Sequence, residues 1–289
     1  MSTITLDAAS KLQPEPQSEQ QRPRRVLIVY AHPEPTSLNG SLKDSMRAHL
    51  LASGHEVQVT DLYAQGWKAS VDAGDFPGHD PRERLGVVNS SKRGYASNAL
   101  TEDVLREQEK LRWADALILQ FPLWWFTMPA ILKGWIDRVY AYGFAYGVGE
   151  HSDTRWGDRY GEGRFAGKRA MLSVTAGGWA EHYGPRGING CIDDLLFPIN
   201  HGVLYYPGFD VLPPFVVYRS DRIDGEGYAA AETELRKRMD ALWTQAPIPY
   251  RKQNAGDYEV PSMTLKAGLE SPGARGFGLH LADRSVAAG

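Results

Sequence analysis

The chain has 289 residues, of which 42% are hydrophobic, so it is long enough to bury a substantial core. Its formal net charge of −3 argues against a nucleic-acid or anionic-membrane binder, and no apolar run reaches the roughly 20 residues of a membrane span. The single cysteine, Cys191, excludes an internal disulfide, and no Cys/His spacing resembles a zinc site. We therefore expect a cytoplasmic protein without a metal centre.

The predicted elements alternate between strands and helices along most of the chain. In chain order they are a strand at 25–31, a helix at 37–53, a strand at 56–62, a helix at 102–113, a strand at 114–121, a helix at 130–139, a strand at 170–175, a fifth strand at either 209–212 or 215–218, and a helix at 226–243. The first strand is a continuous apolar run, which is typical of a strand buried on both faces, whereas Val57 and Val59 alternate with polar residues in the second. This alternation predicts an α/β fold with a doubly wound, five-stranded parallel sheet.

Three segments fall outside this alternation. Residues 1–24 are rich in Gln, Glu, Pro and Ser, lack the apolar segment of a secretory signal, and are predicted to form a disordered tail. Residues 63–100 are polar and glycine-rich without a clear period, and are predicted to form a long loop. Residues 246–289 are predicted to form an irregular C-terminal extension.

Parallel sheets bind ligands beyond the carboxyl ends of their strands, so the loops at 32–40, 122–128 and 175–183 are the candidates for a site. The first loop reads HPEPTSLNG and precedes a helix. Its Thr36 and Ser37 hydroxyls, the Asn39 amide and the free N–H groups of the helix start suit a phosphate group. Ordinary helix capping by Ser37 or Asn39 explains these residues equally well.

The second loop contains three adjacent aromatic residues, in the sequence FPLWWFTMP over 121–129. Three consecutive rings cannot all face one core, so at least one faces a pocket or a partner subunit. A planar ring system needs such walls, because stacking supplies apolar area and geometry together. A subunit-interface patch is the competing interpretation.

The third loop, 175–183, carries the pair Gly177–Gly178, with Tyr183 at its end and Asn189 beyond it. Paired glycines allow the backbone to approach a ligand closely and to direct N–H groups at it. A plain glycine turn after a strand explains the pair as well.

Taken together, the first loop and the long segments QFPLWWFTMPAILKGWIDRVYAYGFAY and LSVTAGGWAEHYGPRGINGCIDDLLFPINHGVLYYPGF resemble the NAD(P)H:quinone oxidoreductases of the DT-diaphorase type, over about 25–245. The resemblance implies a flavodoxin-like catalytic domain at 25–245 that works as a homodimer. It also implies hydride transfer from NAD(P)H, through bound FAD or FMN, to a quinone-like aromatic acceptor by a ping-pong mechanism.

The resemblance also implies a role for each matching residue. The residues implied to bind the flavin are His32, Ser37, Leu38, Asn39, Pro122, Leu123, Trp124, Trp125, Phe126, Thr175, Ala176, Gly177, Gly178 and Tyr183. Those implied to bind the acceptor are Trp125, Phe126, Ala145 and Tyr146, the last two from the partner subunit. Tyr183 and Asn189 are implied to be catalytic, since they match the positions that stabilise the charged edge of the flavin.

The chain departs from the family pattern at several positions. Asn189 stands where animal members have His, Trp124 stands where they have Gln, and 63–100 offers no match for a Gln near the far end of the cofactor. Residues 147–165 are also longer here, which predicts a reshaped acceptor pocket. An azo- or nitro-reductase with the same flavin chemistry and a regulatory ancillary subunit of a potassium-efflux system remain alternatives. A flavodoxin-type electron carrier fits less well, because carriers are smaller and strongly acidic.

Overall fold

The computed structural model describes residues 23–282 and is organised around one parallel sheet. The strands are β1 (Arg25–Tyr30), β2 (Glu56–Asp61), β3 (Ala116–Pro122), β4 (Arg169–Thr175), β5 (Asp210–Val211) and β6 (Phe215–Val217). The order across the sheet is β2-β1-β3-β4-β5, with every neighbour parallel. The predicted α/β fold with a parallel sheet is therefore confirmed.

Both segments that were predicted as alternatives for the fifth strand form strands. The short strand β5 pairs with the beginning of β4, and β6 pairs with its end. Between them lie Pro213 and Pro214, which have no N–H to donate, so they interrupt the strand ladder.

Helices cover both faces of the sheet because the strand side chains alternate in direction. Val26 and Ile28 of β1 point to one core, which is closed by α1 (Leu38–Ala52) and α6 (Gly225–Asp240). Leu27 and Val29 point to the other, which is closed by α3 (Glu102–Trp113) and α4 (Ala130–Val139). The four predicted helices are thus present, each within a few residues of its expected bounds.

The prediction of a loop over 63–100 is wrong in part. This segment contains a 3₁₀ turn at Ala73–Asp75 and the helix α2 (Val87–Ala96). The inward face of α2 carries Ser90, Ser91 and Gly94 instead of large apolar residues, which explains why the sequence has no apolar period there. The segment is fixed by a buried ion pair, in which Arg138 Nε lies 2.8 Å from Asp75 Oδ1.

Two further features lie towards the C-terminus. The helix α5 (Ile192–Phe197) continues into a π-helical segment, Pro198–Tyr205, and neither was predicted. The extension after residue 245 is largely irregular, with a hairpin of two short strands, β7 (Tyr258–Glu259) and β8 (Thr264–Leu265).

The predicted tail at 1–24 and the end of the extension lie mostly or wholly outside the described residues, and the domain bounds stay predictions. Within 23–282, no helix has both the length and the apolar character needed to span a bilayer.

Candidate active site

The three candidate loops meet at one edge of the sheet. Strands β1, β3 and β4 are parallel neighbours, so the loops that follow them leave the sheet on the same side. The chain goes from β1 to β2 on one side and returns to β3 on the other, which makes β1 and β3 the switch point where such sheets bind ligands. Leu123 N–H donates to the Thr175 carbonyl at 2.8 Å, and the rings of His32 and Trp124 lie 6.1 Å apart.

The first loop ends in a helix start with unused donors. The Ser37 side chain caps α1 by accepting from Gly40 N–H at 3.2 Å. The N–H groups of Leu38 and Asn39 have no protein acceptor among the residues described. Because the N-terminus of a fifteen-residue helix carries partial positive charge, these two donors suit an anionic group such as a phosphate.

Gly40 is required by the close approach of this loop to α1. A Cβ atom at position 40 would overlap the carbonyl oxygen of Pro35. The loop therefore folds directly against the first turn of the helix, and any side chain at this position would displace it.

Two polar side chains of the first loop are already used within the protein. The Asn39 carboxamide donates to Thr175 Oγ1 at 2.8 Å and accepts from Gln120 Nε2 at 2.7 Å. The Thr36 hydroxyl donates to Glu34 Oε1 at 2.6 Å, and this bond lowers the pKa of Glu34. The Asn39 amide and the Thr36 hydroxyl, which were expected to suit a phosphate, thus both have partners within the protein. Asn39 can reach a ligand through its main-chain N–H.

The second loop presents its aromatic side chains to solvent. Trp124, Trp125 and Phe126 are 42%, 92% and 46% exposed, so the inference that these rings do not share one core holds. Trp125 and Phe126 also have φ angles of 51° and 64°, a left-handed backbone that non-glycine residues rarely adopt. Strained backbone of this kind concentrates at functional sites. Pro122 and Leu123, in contrast, are buried or half-buried beneath the loop.

The third loop offers a second pair of free donors. Ala176 N–H donates to Val217, whereas the N–H groups of Gly177 and Gly178 have no acceptor among the described residues. The backbone beside Gly177 is not crowded, since a Cβ there would make only an ordinary contact, 3.6 Å from the Asp221 carboxylate. The two glycines therefore form a surface where a planar ligand edge carrying acceptor atoms can approach.

Tyr183 lies directly behind this surface and is 8% exposed. A Cβ on Gly178 would be 3.0 Å from the Tyr183 ring and 3.4 Å from its hydroxyl, so the glycine allows the two to pack together. Asn189 is held next to the same turn by its N–H, which donates to the His182 carbonyl at 3.0 Å. Its side chain has no hydrogen-bond partner within 23–282. The structure thus brings both predicted catalytic residues to the third loop.

Ala145 and Tyr146 are not part of this cluster. They follow α4, which begins near the second loop and runs back along the sheet for ten residues, roughly 15 Å. Tyr146 packs against Tyr142, which in turn contacts Ser91 and Lys92 of α2. Within one chain, Ala145 and Tyr146, which are expected to cover the acceptor, therefore lie apart from the three loops.

Two residues of the site were missed by the sequence analysis. Gln120 is fully buried in β3 and ties β3 to Asn39; a glutamine inside the apolar run ALILQFP is the signal that marks it. Arg219 places its guanidinium 3.9 Å above the exposed ring of Trp179 on the third loop. It has no carboxylate partner among the described residues, which leaves a free positive charge at the rim.

The described part of the chain contains no cluster of His, Cys, Asp or Glu that fits a metal ion.

Comparison with known proteins places the chain among related sequences and structures. A family model described as a flavodoxin-like fold matches residues 24–239. A ribosyldihydronicotinamide dehydrogenase-like protein from Penicillium crustosum is 58% identical over 89% of this chain and 95% of its own length. The rat NAD(P)H dehydrogenase [quinone] 1 is 34% identical over 89% and 92%.

The structural comparison agrees with the sequence comparison. The crystal structure of a candidate quinone reductase from Klebsiella pneumoniae has 61% identity and a TM-score of 0.86, covering 90% of this chain and all of that one. The chain therefore belongs to the flavodoxin-like family of NAD(P)H dehydrogenases (quinone).

Proposed function

We propose that the protein is a flavin-dependent oxidoreductase that moves hydride from NAD(P)H to a quinone or a related flat aromatic acceptor. The observation that carries this proposal is the meeting of an exposed aromatic wall, Trp124–Phe126, with two pairs of free N–H groups on neighbouring loops. An anionic tail and a flat ring system with acceptor atoms on one edge, as in a flavin, match these features together.

Each of the three loops would bind a different part of the flavin. The N–H groups of Leu38 and Asn39 would hold the phosphate end, with Ser37 and His32 beside them. Trp124, Trp125 and Phe126, supported by Pro122 and Leu123, would line the ring. The third loop, from Thr175 to Gly178, would direct its free N–H groups at the polar ring edge, where fixed donors stabilise developing negative charge.

The residues of the chain position the reactants, while the bound flavin would supply the redox chemistry by taking hydride from the nicotinamide and passing it to the acceptor in two successive half-reactions. The Tyr183 hydroxyl, which carries a proton, would lie behind the N–H groups of Gly177 and Gly178. Asn189 would orient the ring edge or the acceptor oxygen, since an amide donates a hydrogen bond without titrating. FAD is the proposed flavin, with FMN as the alternative.

The charge at the rim of the candidate site bears on whether the hydride donor is NAD(P)H or the simple dihydronicotinamide riboside. Relatives differ here, because some are named for ribosyldihydronicotinamide and others for NAD(P)H. Arg219, stacked on Trp179, presents an unopposed guanidinium beside the third loop. Guanidinium groups bind phosphates through paired N–H donors, so this cation favours a phosphate-bearing donor. We therefore place NAD(P)H ahead of the simple riboside.

The purified protein is expected to be yellow, and its flavin absorbance should bleach when NADH or NADPH is added without oxygen. Released chromophore identified by chromatography distinguishes FAD from FMN, and re-oxidation by a quinone completes the test. A parallel assay with dihydronicotinamide riboside tests the choice of donor. A colourless protein that gains no flavin on incubation with FAD or FMN would contradict the proposal.

We also propose that the protein is a homodimer whose site is completed by Ala145 and Tyr146 of the second copy. Trp125 is almost wholly exposed in one chain, and large exposed aromatic patches mark interfaces. Sedimentation velocity of the flavin-loaded protein should therefore give twice the mass of one chain. A stable monomer that retains full activity would rule out the shared site.

A further inference from the structure

A cavity of about 440 Å³ lies between the C-terminal extension, the segment 156–160 and the helical turn that contains Phe197 and His201. Pockets of roughly 300–1,000 Å³ hold small organic ligands. None of the residues that line the cavity belongs to the loops at 32–40, 122–128 or 175–183. It is therefore separate, within one chain, from the candidate active site.

The wall of this cavity is a row of stacked rings. Phe277, Phe197, His201 and Tyr160 follow one another with centroid separations of 4.2, 4.6 and 4.7 Å and interplanar angles of 10°, 15° and 26°. Phe277 and Trp156 remain 44% and 45% exposed, so rings at the mouth are open to a ligand. A flat molecule can extend such a stack and gain apolar burial and ring contact together.

The charge of the cavity is positive. Among the described residues that line it there is no Asp or Glu, and there are two arginines. The Arg251 guanidinium is already used, since it pairs with Asp257 at 2.7 Å and donates to the carbonyls of Leu279 and Leu269. Its charge is therefore not available to a ligand.

Arg159 is different. Its guanidinium lies over the rings of Trp156 and Tyr206, at 5.4 and 5.6 Å, and only its Nε makes a protein hydrogen bond, to Gln253 Oε1 at 2.9 Å. The two terminal nitrogens have no acceptor and no carboxylate partner within the described part of the chain. A guanidinium that lies over two rings, with its outer donors free, is suited to an anionic oxygen pair.

The two histidines add no charge at neutral pH. Burial, together with His280, lowers the pKa of His201 to about 4, and burial also lowers the pKa of His280. Both rings therefore act as neutral aromatic walls, and Arg159 is left as the one unopposed cation of the described lining.

We propose that this cavity is a second ligand site, which takes a planar aromatic molecule bearing one anionic group. The exposed rings of Phe277 and Trp156 pack against the ligand, and Arg159 binds its anionic group. The site does not depend on the flavin chemistry proposed above.

The test is isothermal titration of the flavin-loaded protein with naphthalene-2-sulfonate, which flavins do not reduce. One molecule should bind per chain. The variant Arg159→Gln should weaken binding at least about tenfold, because it removes a charge-assisted hydrogen-bonding pair. Phe277→Leu should also weaken it, and the neutral probe naphthalene-2-sulfonamide should bind less tightly to the unaltered protein. The matched control is Arg275→Gln, which removes an exposed arginine of the same extension outside the cavity and should bind like the unaltered protein.

Thermal unfolding and flavin content of each variant are measured alongside, so a folding defect or a failure of the proposed redox function is read separately. Absence of binding to the unaltered protein would overturn the proposal. So would binding that survives Arg159→Gln and Phe277→Leu but is lost in Trp125→Ala, because the probe would then occupy the flavin wall.

Discussion

Replacing Gly40 by alanine should weaken flavin binding about 100-fold or more while leaving the sheet intact. A methyl group at this position cannot coexist with the Pro35 carbonyl, so the loop at 32–37 has to move away from α1. The free N–H groups of Leu38 and Asn39 then lose their alignment with the phosphate end of the ligand, and each hydrogen bond to a charged group is worth about 1.5–3 kcal/mol. Fluorescence titration of the apoprotein with FAD gives the change in Kd directly.

Gly202→Ala is the matched control for this change. Gly202 lies in the helical segment Pro198–Tyr205, and a methyl group added to it would have no neighbouring atom within 4 Å. Its φ angle is not positive, so alanine fits the backbone there. The flavin affinity of this variant should equal that of the unaltered protein. If Gly40→Ala also binds FAD normally and melts at the same temperature, the first loop does not hold the phosphate.

Removing the Tyr183 hydroxyl should slow reduction of the bound flavin by NAD(P)H about tenfold. Loss of one preorganised donor to a developing charge typically costs on the order of 3 kcal/mol, about a hundredfold, and the Gly177 and Gly178 N–H groups offset part of this. Asn189→Asp should slow the step further, because a carboxylate beside the same edge opposes the negative charge that forms there. Stopped-flow absorbance under anaerobic conditions measures both rates.

Tyr218→Phe separates the chemistry of Tyr183 from its packing. The two rings lie 5.6 Å apart, so this control removes a hydroxyl from the neighbouring ring and keeps the ring pair. Its reductive rate should stay close to that of the unaltered protein. Unchanged rates in Tyr183→Phe and Asn189→Asp, with full flavin occupancy, would mean that the polar ring edge lies elsewhere.

The sheet and the convergence of the three candidate loops were predictable because both depend on local patterns. Apolar runs such as AMLSVT over 170–175 mark buried strands, and the alternation with helices leaves few ways to arrange them. The carboxyl ends of parallel strands then converge regardless of side-chain detail. For the same reason the exposure of Trp125 followed from three adjacent rings at the end of a strand.

The features that were missed depend on contacts between distant residues. Helix α2 is buried through serines and a glycine against other elements, so its sequence carries no apolar stripe. The partners of Asn39 lie 81 and 136 positions away, at Gln120 and Thr175, and no spacing rule connects them. The placement of Arg159 likewise depends on a distant contact, since its Nε donates to Gln253, 94 positions away.

The buried amides beneath the site restrict how related sequences can diverge. Gln120, Asn39 and Thr175 form one chain of hydrogen bonds away from water. Changing Gln120 alone to leucine leaves the Asn39 oxygen without a donor, at a cost of about 1–3 kcal/mol, whereas an apolar replacement of the whole set can be nearly neutral. The three positions should therefore co-vary in an alignment of relatives: polar together or apolar together, with mixed combinations rare.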